Sequence, residues 1–262
     1  MKPSLSYELN NENPEDKKRF IRKLFDDIVP TYDLLNHLLS FGTDVLWRKK
    51  IFKLIHSVKD ARVLDLCCGT GDLSLLMHRQ GAEVVSLDFS LKMLARGKER
   101  RALLGHCVAA DASRLPFVDC AFTAAAIAFG IRNIPDLRNF IAEVHRVLAP
   151  GGELAILELV RPRNWFVKIV YALYLNKLLP FIGGLVSGKQ MAYKYLSNTI
   201  RTFVDPDDLK LMLGKGGFTN VARYPQTFGV AAIIVCGKPQ QIPSKKQSAN
   251  SGKKRRRNRM SY

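Results

Sequence analysis

Residues 62–76, "RVLDLCCGTGDLSLL", contain three different patterns in succession. The apolar run 62–66 predicts a short buried strand, Gly69 and Gly71 predict a turn, and the residues from Asp72 onward have helical spacing. A glycine-rich turn between a strand and a helix is typical of α/β proteins that bind a nucleotide or nucleoside at this turn. The pattern therefore predicts a ligand-binding loop.

The same alternation of strand and helix continues through the chain. Strands are predicted at 83–88, 107–111, 122–129 and 152–159, and helices near 72–80, 90–104 and 136–149. Strands separated by helices pair in parallel through right-handed crossovers. Two final apolar runs, 218–224 and 229–237, predict a hairpin at the sheet edge. We therefore expect a Rossmann-like, doubly wound, mostly parallel seven-stranded α/β sheet.

The length and the 47% apolar content allow one large core in the 262 residues. We predict a flexible N-terminus at 1–18, a core domain at 19–238 and a basic disordered tail at 239–262. Within the core domain, aromatic residues at 19–58 predict a helical cover, and residues 163–203 predict an inserted lid or substrate-binding segment.

The net charge of +18 is concentrated at the C-terminus. The last 25 residues contain nine Lys or Arg and no acid, so this tail accounts for half of the excess. Clustered cations bind nucleic acid or anionic lipid. The alternative is a solvated tail without a dedicated partner.

The N-terminal sequence lacks the apolar core of a signal peptide, which predicts a cytoplasmic, bacterial protein. The apolar region 165–186 is interrupted by Lys168, Asn176, Lys177 and Pro180, so we do not expect it to cross a bilayer. Its aromatic and basic residues are typical of a helix at the membrane interface, and peripheral contact with the inner face of the cell membrane is the corresponding hypothesis. A lid helix is the alternative.

The five cysteines form no CxxC pair and no cluster with histidine at zinc spacing. We therefore predict free thiols and no metal site. Cys67 and Cys68 in the loop are interpreted as compact apolar residues.

Acidic residues lie at the end of each of the first three predicted strands, at 62–66, 83–88 and 107–111. Asp65, Asp88 and Asp111 are spaced 23 residues apart. Ligands of doubly wound sheets bind beyond the carboxyl ends of the strands, and an acid after the second strand accepts hydrogen bonds from ribose hydroxyls. Asp88 is therefore the predicted ribose residue.

The charge next to the glycine loop indicates which nucleoside binds. Asp65 and Asp72 flank the loop and would repel a pyrophosphate. S-adenosylmethionine has no phosphate and carries positive charge, so it suits this loop, and Gly69 and Gly71 would let the backbone approach it. The alternative is an ordinary strand-to-helix turn in which Asp72 is the N-cap.

Several segments resemble the class I S-adenosylmethionine methyltransferases, and more narrowly the family that C-methylates ubiquinone and menaquinone precursors. The resemblance covers about residues 18–238. The segments that carry it are "YDLLNHLLSFGTDVLWRK" (32–49), "LDLCCGTGD" (64–72), "FGIRNIPD" (129–136), "VLAPGGELAILE" (147–158) and "AYKYLSNTIRTF" (192–203).

The resemblance implies that Thr70 and Asp88 contact the cofactor and that Asp111 and Ala112 hold the adenine ring. Ala128 departs from the serine that many members have before "FG", so a polar cofactor contact at that place is lost or replaced. The implied reaction is methylation of a polyprenyl quinol ring, and the "CCGTGD" loop favours demethylmenaquinol as the substrate.

Arg132, just after the fourth strand, is the predicted catalytic and substrate-binding cation, with Asn133 as an orienting amide; a surface role for Arg132 is the alternative. Tyr193 and Tyr195 are predicted to contact the quinol oxygens or to form a pocket wall. The histidines receive no catalytic role. An RNA methyltransferase, or a non-catalytic protein that binds RNA or the cofactor, are the competing hypotheses suggested by the basic tail.

Overall fold

Seven β-strands form one mixed sheet in the computed structural model of the protein, which describes residues 14–56, 58–175 and 190–240. The strands are β1 (Arg62–Leu66), β2 (Glu83–Asp88), β3 (His106–Ala109), β4 (Phe122–Ala128), β5 (Leu148–Leu159), β6 (Thr219–Gln226) and β7 (Ala231–Gly237). The helices are α1 (Pro14–Leu39), α2 (Thr43–Ile51), α3 (Asp72–Arg79), α4 (Leu91–Glu99), α5 (Leu137–Val147), α6 (Trp165–Leu173), α7 (Gln190–Thr202) and α8 (Pro206–Lys215).

The strand order is β3-β2-β1-β4-β5-β7-β6. Neighbouring strands from β3 to β5 pair in parallel, and β7 is antiparallel to both β5 and β6. The chain therefore builds the sheet outward from β1 in one direction and then from β4 in the other. This arrangement confirms the predicted seven-stranded, mostly parallel Rossmann-like sheet.

The parallel strands β1, β2, β4 and β5 are buried on both faces, whereas the edge strand β3 is exposed or half-buried. In β1, Val63 belongs to one core, whereas Leu64 and Leu66 belong to the other. Helices α2 and α3 cover the first core with Trp47, Ile51, Leu73 and Met77, and α5 and α8 cover the second with Phe140, Ile141, Val144, Leu209 and Leu213. Two-sided burial explains why the strands read as continuous apolar runs.

Helix α1 crosses the carboxyl ends of the first three strands. Lys18 pairs with Asp111 beyond β3 at 2.8 Å, and Asp26 accepts a 2.5 Å hydrogen bond from Ser90 Oγ beyond β2. Near its C-terminal end, Tyr32 lies over the glycine loop after β1. The helix thus forms part of a cover over the strand ends, in the region where the sequence predicts a helical cover.

The helix predicted at 90–104 ends five residues early, at Glu99. Arg101 adopts a left-handed conformation (φ 54°), and the Ala102 and Leu103 N–H groups both donate to Gly97 O. This turn brings Leu103 against Gly97, where a Cβ on the glycine would lie 2.6 Å from Leu103 Cδ1. The chain leaves the helix because the leucine fills this contact.

No described helix combines the length and the apolarity that crossing a bilayer requires. The predicted tail lies almost entirely outside the described residues, as does most of the predicted N-terminal segment. Of the predicted insertion 163–203, helices α6 and α7 are described and residues 176–189 are not. The domain boundaries stay predictions.

Candidate active site

Two pockets lie near the carboxyl ends of β1 and β4, where the direction of strand order reverses. A turn of 3-10 helix, Ile131–Asn133, follows β4 at this place. The first pocket has a volume of about 720 Å³ and many polar lining groups, and we call it the polar pocket. The second has a volume of about 380 Å³ and a largely apolar lining, and we call it the apolar pocket. Ligands of doubly wound sheets bind at such a reversal.

The predicted adenine residues Asp111 and Ala112 both line the polar pocket. Asp111 Oδ1 accepts the Ser113 N–H at 2.8 Å, and Oδ2 pairs with Lys18. Burial by itself would raise the pKa of Asp111, but the hydrogen bonds from Lys18 and Ser113 bring it below the usual value. The carboxylate is therefore ionised and remains accessible at the pocket wall.

Residues 68–71 of the glycine loop lie under helix α1 and line neither of these two pockets, whereas Cys67 at the start of the loop lines the polar pocket. Asp88 accepts the N–H groups of Gly69 (2.9 Å) and Ser90 (2.8 Å), and the Asp88 side chain is almost fully buried. The Thr70 hydroxyl donates to Asp33 of α1. The structure therefore brings Asp88 and the loop together, next to the polar pocket rather than on its surface. Their contacts with a cofactor stay predictions.

Asp65 is buried beneath the same loop. It accepts a 2.5 Å hydrogen bond from Ser74 Oγ, which in turn lies 2.8 Å from Ser86 Oγ. Burial raises the pKa of Asp65 to about 7, against the lowering effect of the Ser74 hydrogen bond. Burial likewise raises the pKa of Asp88 to about 6. Asp65 thus joins β1, α3 and β2 from inside, and it does not flank the loop at the surface.

Cys67 connects these acids with the polar pocket, because it lines that pocket. Burial raises the pKa of the Cys67 thiol well above its usual value, and the charges of Asp88, Asp65, Asp111 and Glu158 raise it further. A negative field that disfavours a thiolate favours a cation at the same place.

Arg132 forms a buried ion pair with Glu158 of β5. Its NH1 donates to Glu158 Oε1, its backbone N–H donates to Oε2 at 3.3 Å, and the Leu159 N–H also donates to Oε1 at 2.7 Å. Burial raises the pKa of Glu158, and Arg132 opposes that rise. Arg132 Nε is buried and has no partner among the described residues. The predicted cation is therefore held inside the site, away from the surface role considered above.

Asn133 and Tyr195 are in contact with each other. The Tyr195 hydroxyl donates to Asn133 Oδ1 at 3.1 Å, and Asn133 lines the polar pocket whereas Tyr195 lines neither pocket. Burial raises the pKa of Tyr195 to about 12, so the phenol stays protonated at neutral pH. Tyr195 is thus placed to orient Asn133. Tyr193 belongs to α7, but its side chain lies outside the described residues.

A cluster of charged groups joins α1, α2 and the start of α3. His37 Nδ1 lies 2.9 Å from Asp44 Oδ2, and His37 Nε2 lies 3.5 Å from Asp72 Oδ2. The ligand atoms of these three residues lie within 4.8 Å of one another. Arg48 donates to Asp44 and lies 3.7 Å from Asp72, so a guanidinium already supplies positive charge there. His37, which received no catalytic role from the sequence, thus has two acidic partners.

The sequence interpretation missed Glu158 and Tyr32 as site residues. Glu158 lies near the end of β5, so extending the strand-end criterion from three strands to five would have found it. Tyr32 lines the apolar pocket and lies over Gly69. Its position is set by α1 packing on a loop far away in the sequence, and no local pattern indicates it.

Comparisons with known proteins show the family to which the chain belongs. Residues 12–238 match the model of the ubiE/COQ5 methyltransferase family. A demethylmenaquinone methyltransferase of Thermus thermophilus is 46% identical, covering 82% of this chain and 100% of that protein. The ubiquinone/menaquinone biosynthesis C-methyltransferase UbiE of Geobacter sulfurreducens is 41% identical, covering 83% and 88%.

Solved structures support the fold. A SAM-dependent methyltransferase of Thermotoga maritima, described as a possible histamine N-methyltransferase, superposes with a TM-score of 0.60 at 16% identity, covering 82% of this chain and 99% of that one. At this identity the likeness concerns the fold alone.

Replacing Asp65 by Asn should alter the pH dependence of stability. With a folded pKa of about 7 against 3.8 unfolded, Asp65 binds its proton more tightly in the folded state. Its contribution to stability is therefore fully present below about pH 4 and is lost as the pH rises to about 7. Relative to wild type, Asp65→Asn should gain up to roughly 4 kcal/mol across this window. Urea unfolding at pH 4 to 8 measures the difference; a constant difference would contradict the prediction.

Substitutions at Cys67 should separate backbone strain from packing. Cys67 has φ 53°, and a Cβ on Gly130 would lie 2.6 Å from its own Cβ. Cys67→Gly should stay within about 1 kcal/mol of wild type, because relief of the left-handed conformation offsets the lost contact. Cys67→Val should be at least about 2 kcal/mol less stable than Cys67→Gly, because a β-branched side chain is poorly tolerated at positive φ. Equal stability of the two variants in urea would contradict this.

Proposed function

The chain belongs to the ubiE/COQ5 methyltransferase family, and we propose that it methylates a ring carbon of a polyprenyl quinol, with demethylmenaquinol as the substrate. It is an S-adenosylmethionine-dependent C-methyltransferase of quinone biosynthesis. The names of the similar proteins support menaquinone and ubiquinone precursors alike, and demethylmenaquinol is our specific proposal. The competing RNA methyltransferase and non-catalytic functions are not favoured by these relatives.

One observation carries the proposal: consecutive residues of a single turn line different pockets. Arg132 lines the apolar pocket and Asn133 lines the polar pocket. Just before them, Phe129 lines the apolar pocket and Gly130 lines the polar pocket. A ligand in one pocket therefore lies beside a ligand in the other, with this turn between them. Such proximity is what transfer of a small group between two ligands requires.

We propose that S-adenosylmethionine occupies the polar pocket, whose lining carries both acidic and basic side chains. Asp111 and Asn133 offer hydrogen-bonding groups beside apolar Ala112, which suits an adenosine moiety. The negative field at Cys67 suits the sulfonium. We propose that Asp111, Ala112 and Asn133 contact the cofactor directly and that Asp65, Gly69, Thr70, Gly71 and Asp88 shape the loop next to it. When bound, the cofactor supplies an electrophilic methyl group.

Arg132 assists by stabilising the ionised ring. A phenol with a pKa of about 10 is only about 0.1% ionised at neutral pH, a deficit of roughly 4 kcal/mol. A neighbouring cation lowers such a pKa by about 1 to 3 units. Arg132 is mostly buried and its Nε has no partner within the described part of the chain, so a phenolate oxygen would receive a desolvated, charge-assisted hydrogen bond from it. Glu158 holds the guanidinium in place.

The apolar pocket opens beside exposed apolar side chains that suit a membrane surface. Phe41 and Phe228 are 79% and 85% exposed, and both line the pocket. Helix α6 exposes further apolar groups, namely Trp165, Phe166, Ile169, Val170 and Leu173. Scattered apolar residues are common on protein surfaces, but a group of them at a pocket mouth indicates an interaction site. We propose peripheral contact with the membrane here, so that a quinol with an isoprenoid tail enters from the lipid.

The basic tail has no assigned role in this proposal. Contact of residues 239–262 with anionic lipid would be consistent with the membrane surface, and contact with RNA is less favoured. Deleting the tail separates the two, because quinol methylation survives the deletion whereas an RNA-directed activity does not. The substrate test itself is transfer of label from S-adenosylmethionine to a short-chain demethylmenaquinol ring; cofactor binding without ring labelling would contradict the proposed substrate.

Replacing Arg132 by Lys should lower kcat by about 10-fold or more, because an ammonium retains the charge but not the fixed guanidinium geometry. Cofactor affinity, measured by calorimetry, should change little. Ring labelling of the short-chain demethylmenaquinol gives the rate. A kcat within twofold of wild type would remove Arg132 from the proposed mechanism.

A double variant controls for stability. Arg132→Gln alone leaves the buried Glu158 carboxylate without a cationic partner, which lowers the free energy of unfolding by roughly 3 to 5 kcal/mol. Adding Glu158→Gln leaves a neutral hydrogen-bonded pair, so thermal stability should return towards that of wild type while activity stays low. Recovery of activity in the double variant would show that the charge is dispensable.

The double variant Phe41→Ser/Phe228→Ser should bind vesicles of anionic phospholipid about tenfold more weakly than wild type, because two large apolar groups are removed from the docking surface. Cosedimentation with the vesicles measures binding. Leu211→Ser is the matched control, since Leu211 is 64% exposed on α8 and lines neither pocket described above. Equal binding by the double variant and wild type would contradict the proposed surface.

A further inference from the structure

Two of the polar groups that line the apolar pocket, Arg132 and the Ser40–Asp44 pair, differ in hydrogen-bonding character. Among the described residues that line it, Arg132 and Asp44 are the ones that carry charge. They belong to different elements: Arg132 to the turn after β4, and Asp44 to the first turn of α2. A ring bound in this pocket can therefore meet both a cation and an anion.

Arg132 can only donate hydrogen bonds to a ligand. A guanidinium has five N–H groups and no acceptor. Glu158 takes NH1, and Nε has no partner among the described residues although it is buried. An unpaired buried donor is costly, and an oxygen of a bound ring would relieve that cost. Either a phenolate or a carbonyl oxygen can accept there, so Arg132 does not distinguish a reduced ring from an oxidised one.

Ser40 can accept a hydrogen bond from a ligand, because its own hydroxyl proton is donated to Asp44. Ser40 Oγ donates to Asp44 Oδ1 at 2.6 Å and lies 3.2 Å from His37 O. A hydroxyl has one proton and two lone pairs. The shorter bond to a carboxylate keeps the proton, which leaves the lone pairs of Ser40 for a ligand. Both Ser40 and Asp44 line the pocket.

Asp44 is held in its ionised form by groups from several elements. Arg48 of α2 donates to Oδ2, and His37 of α1 lies 2.9 Å from the same oxygen. Asp72 of α3 lies on the far side of these two residues. Burial by itself would raise the pKa of Asp44, but Ser40 and Arg48 bring it below its usual value. Asp44 therefore has no proton to give to Ser40.

We propose that this pocket selects the reduced ring over the oxidised ring by hydrogen-bond direction: one quinol hydroxyl donates to Ser40 Oγ while Arg132 binds the opposite oxygen. Ser40 is the contact residue and Asp44 is a positioning residue that acts through it. A quinone offers only carbonyl oxygens, and at Ser40 a carbonyl faces lone pairs. This inference rests on the proposed quinol substrate and extends it to how the redox state is read.

Selection at this step has a chemical purpose. The ring must be electron-rich to accept a methyl group, so a bound quinone would occupy the pocket without reacting. Sites built to accept a hydrogen bond from a ligand hydroxyl discriminate strongly against analogues that lack it. We expect the quinol to bind at least about tenfold more tightly than the quinone.

The experiment compares 1,4-dihydroxynaphthalene with 1,4-naphthoquinone, measured by anaerobic equilibrium dialysis against the full-length protein. Wild type should bind the reduced probe at least about tenfold more tightly. Ser40→Ala should bring the two dissociation constants to within about threefold of each other. In Asp44→Asn, the amide NH₂ can donate to Ser40 and free its proton for the pocket, so the preference should vanish or reverse in favour of the quinone.

Asp72→Asn is the matched control. Like Asp44, Asp72 lies close to His37 and Arg48. Unlike Asp44, it lines neither pocket. It should keep the wild-type ratio of the two dissociation constants. Thermal unfolding verifies that each variant is folded, and Ser40→Ala, which changes no charge, decides the matter if Asp44→Asn does not fold.

The outcomes separate this inference from the function on which it rests. Equal binding of both probes by wild type, or an unchanged ratio in folded Ser40→Ala, overturns the redox selection while leaving a ring-binding pocket. Loss of selectivity in Asp72→Asn as large as in Asp44→Asn overturns the role assigned to Ser40 and Asp44 specifically. Binding of neither probe contradicts the quinol substrate itself.

Discussion

The reversal of strand order between β1 and β4 is the constraint from which the site follows. Parallel strands are connected by crossover helices. Where two successive crossovers lead to opposite sides, a crevice is left at the carboxyl ends of the two central strands. In this protein α1, the glycine loop and the turn 131–133 all meet at that gap. Both pockets lie there, and one peptide bond, between Arg132 and Asn133, joins their walls.

Charge is distributed differently on the two sides of this turn. On the cofactor side, Asp65, Asp88, Asp111 and Glu158 together make the surroundings of Cys67 negative. On the substrate side, Arg132 is presented to an apolar pocket. Burying charge without a partner is costly, and three of the acids are paired with a cation: Glu158 with Arg132, Asp111 with Lys18, and Asp44 with Arg48. The same pairing that stabilises these groups also fixes where they point.

Helix α1 links the two sides. Its side chains reach the ends of β3, β2 and β1 in turn, through Lys18, Asp26 and Asp33. Tyr32 lies over Gly69 while also lining the apolar pocket. A helix that touches both the cofactor loop and the substrate pocket excludes water from the region between them, which strengthens the electrostatic interactions there. Movement of α1 would expose both at once.

Local pattern was sufficient for the sheet. The strands 62–66 and 83–88 were predicted with the bounds that the structure has. Strands that are buried on both faces have continuous apolar sequences, which makes them recognisable. The structure also has Asp88 at the end of a strand and Arg132 just after one, as predicted, while their roles stay predictions. The same logic misjudged Asp65, which looked like a loop carboxylate and lies under the loop, bonded to Ser74. Packing decides which side of a turn a side chain faces, and the spacing of residues in the sequence does not reveal that side.

The amino-acid order thus specified the fold class, the loop and the family resemblance, since these arise from periodicity and short motifs that neighbouring residues form together. The partnerships came from the folded chain: Arg132 with Glu158, 26 residues apart, and Tyr195 with Asn133, 62 residues apart. The direction of the Ser40 hydrogen bond is of the same kind, because it is fixed by Arg48 and His37 converging on Asp44. Hydrogen-bond direction and burial are properties of three-dimensional neighbours, and neighbours at this distance leave no periodic trace in the sequence.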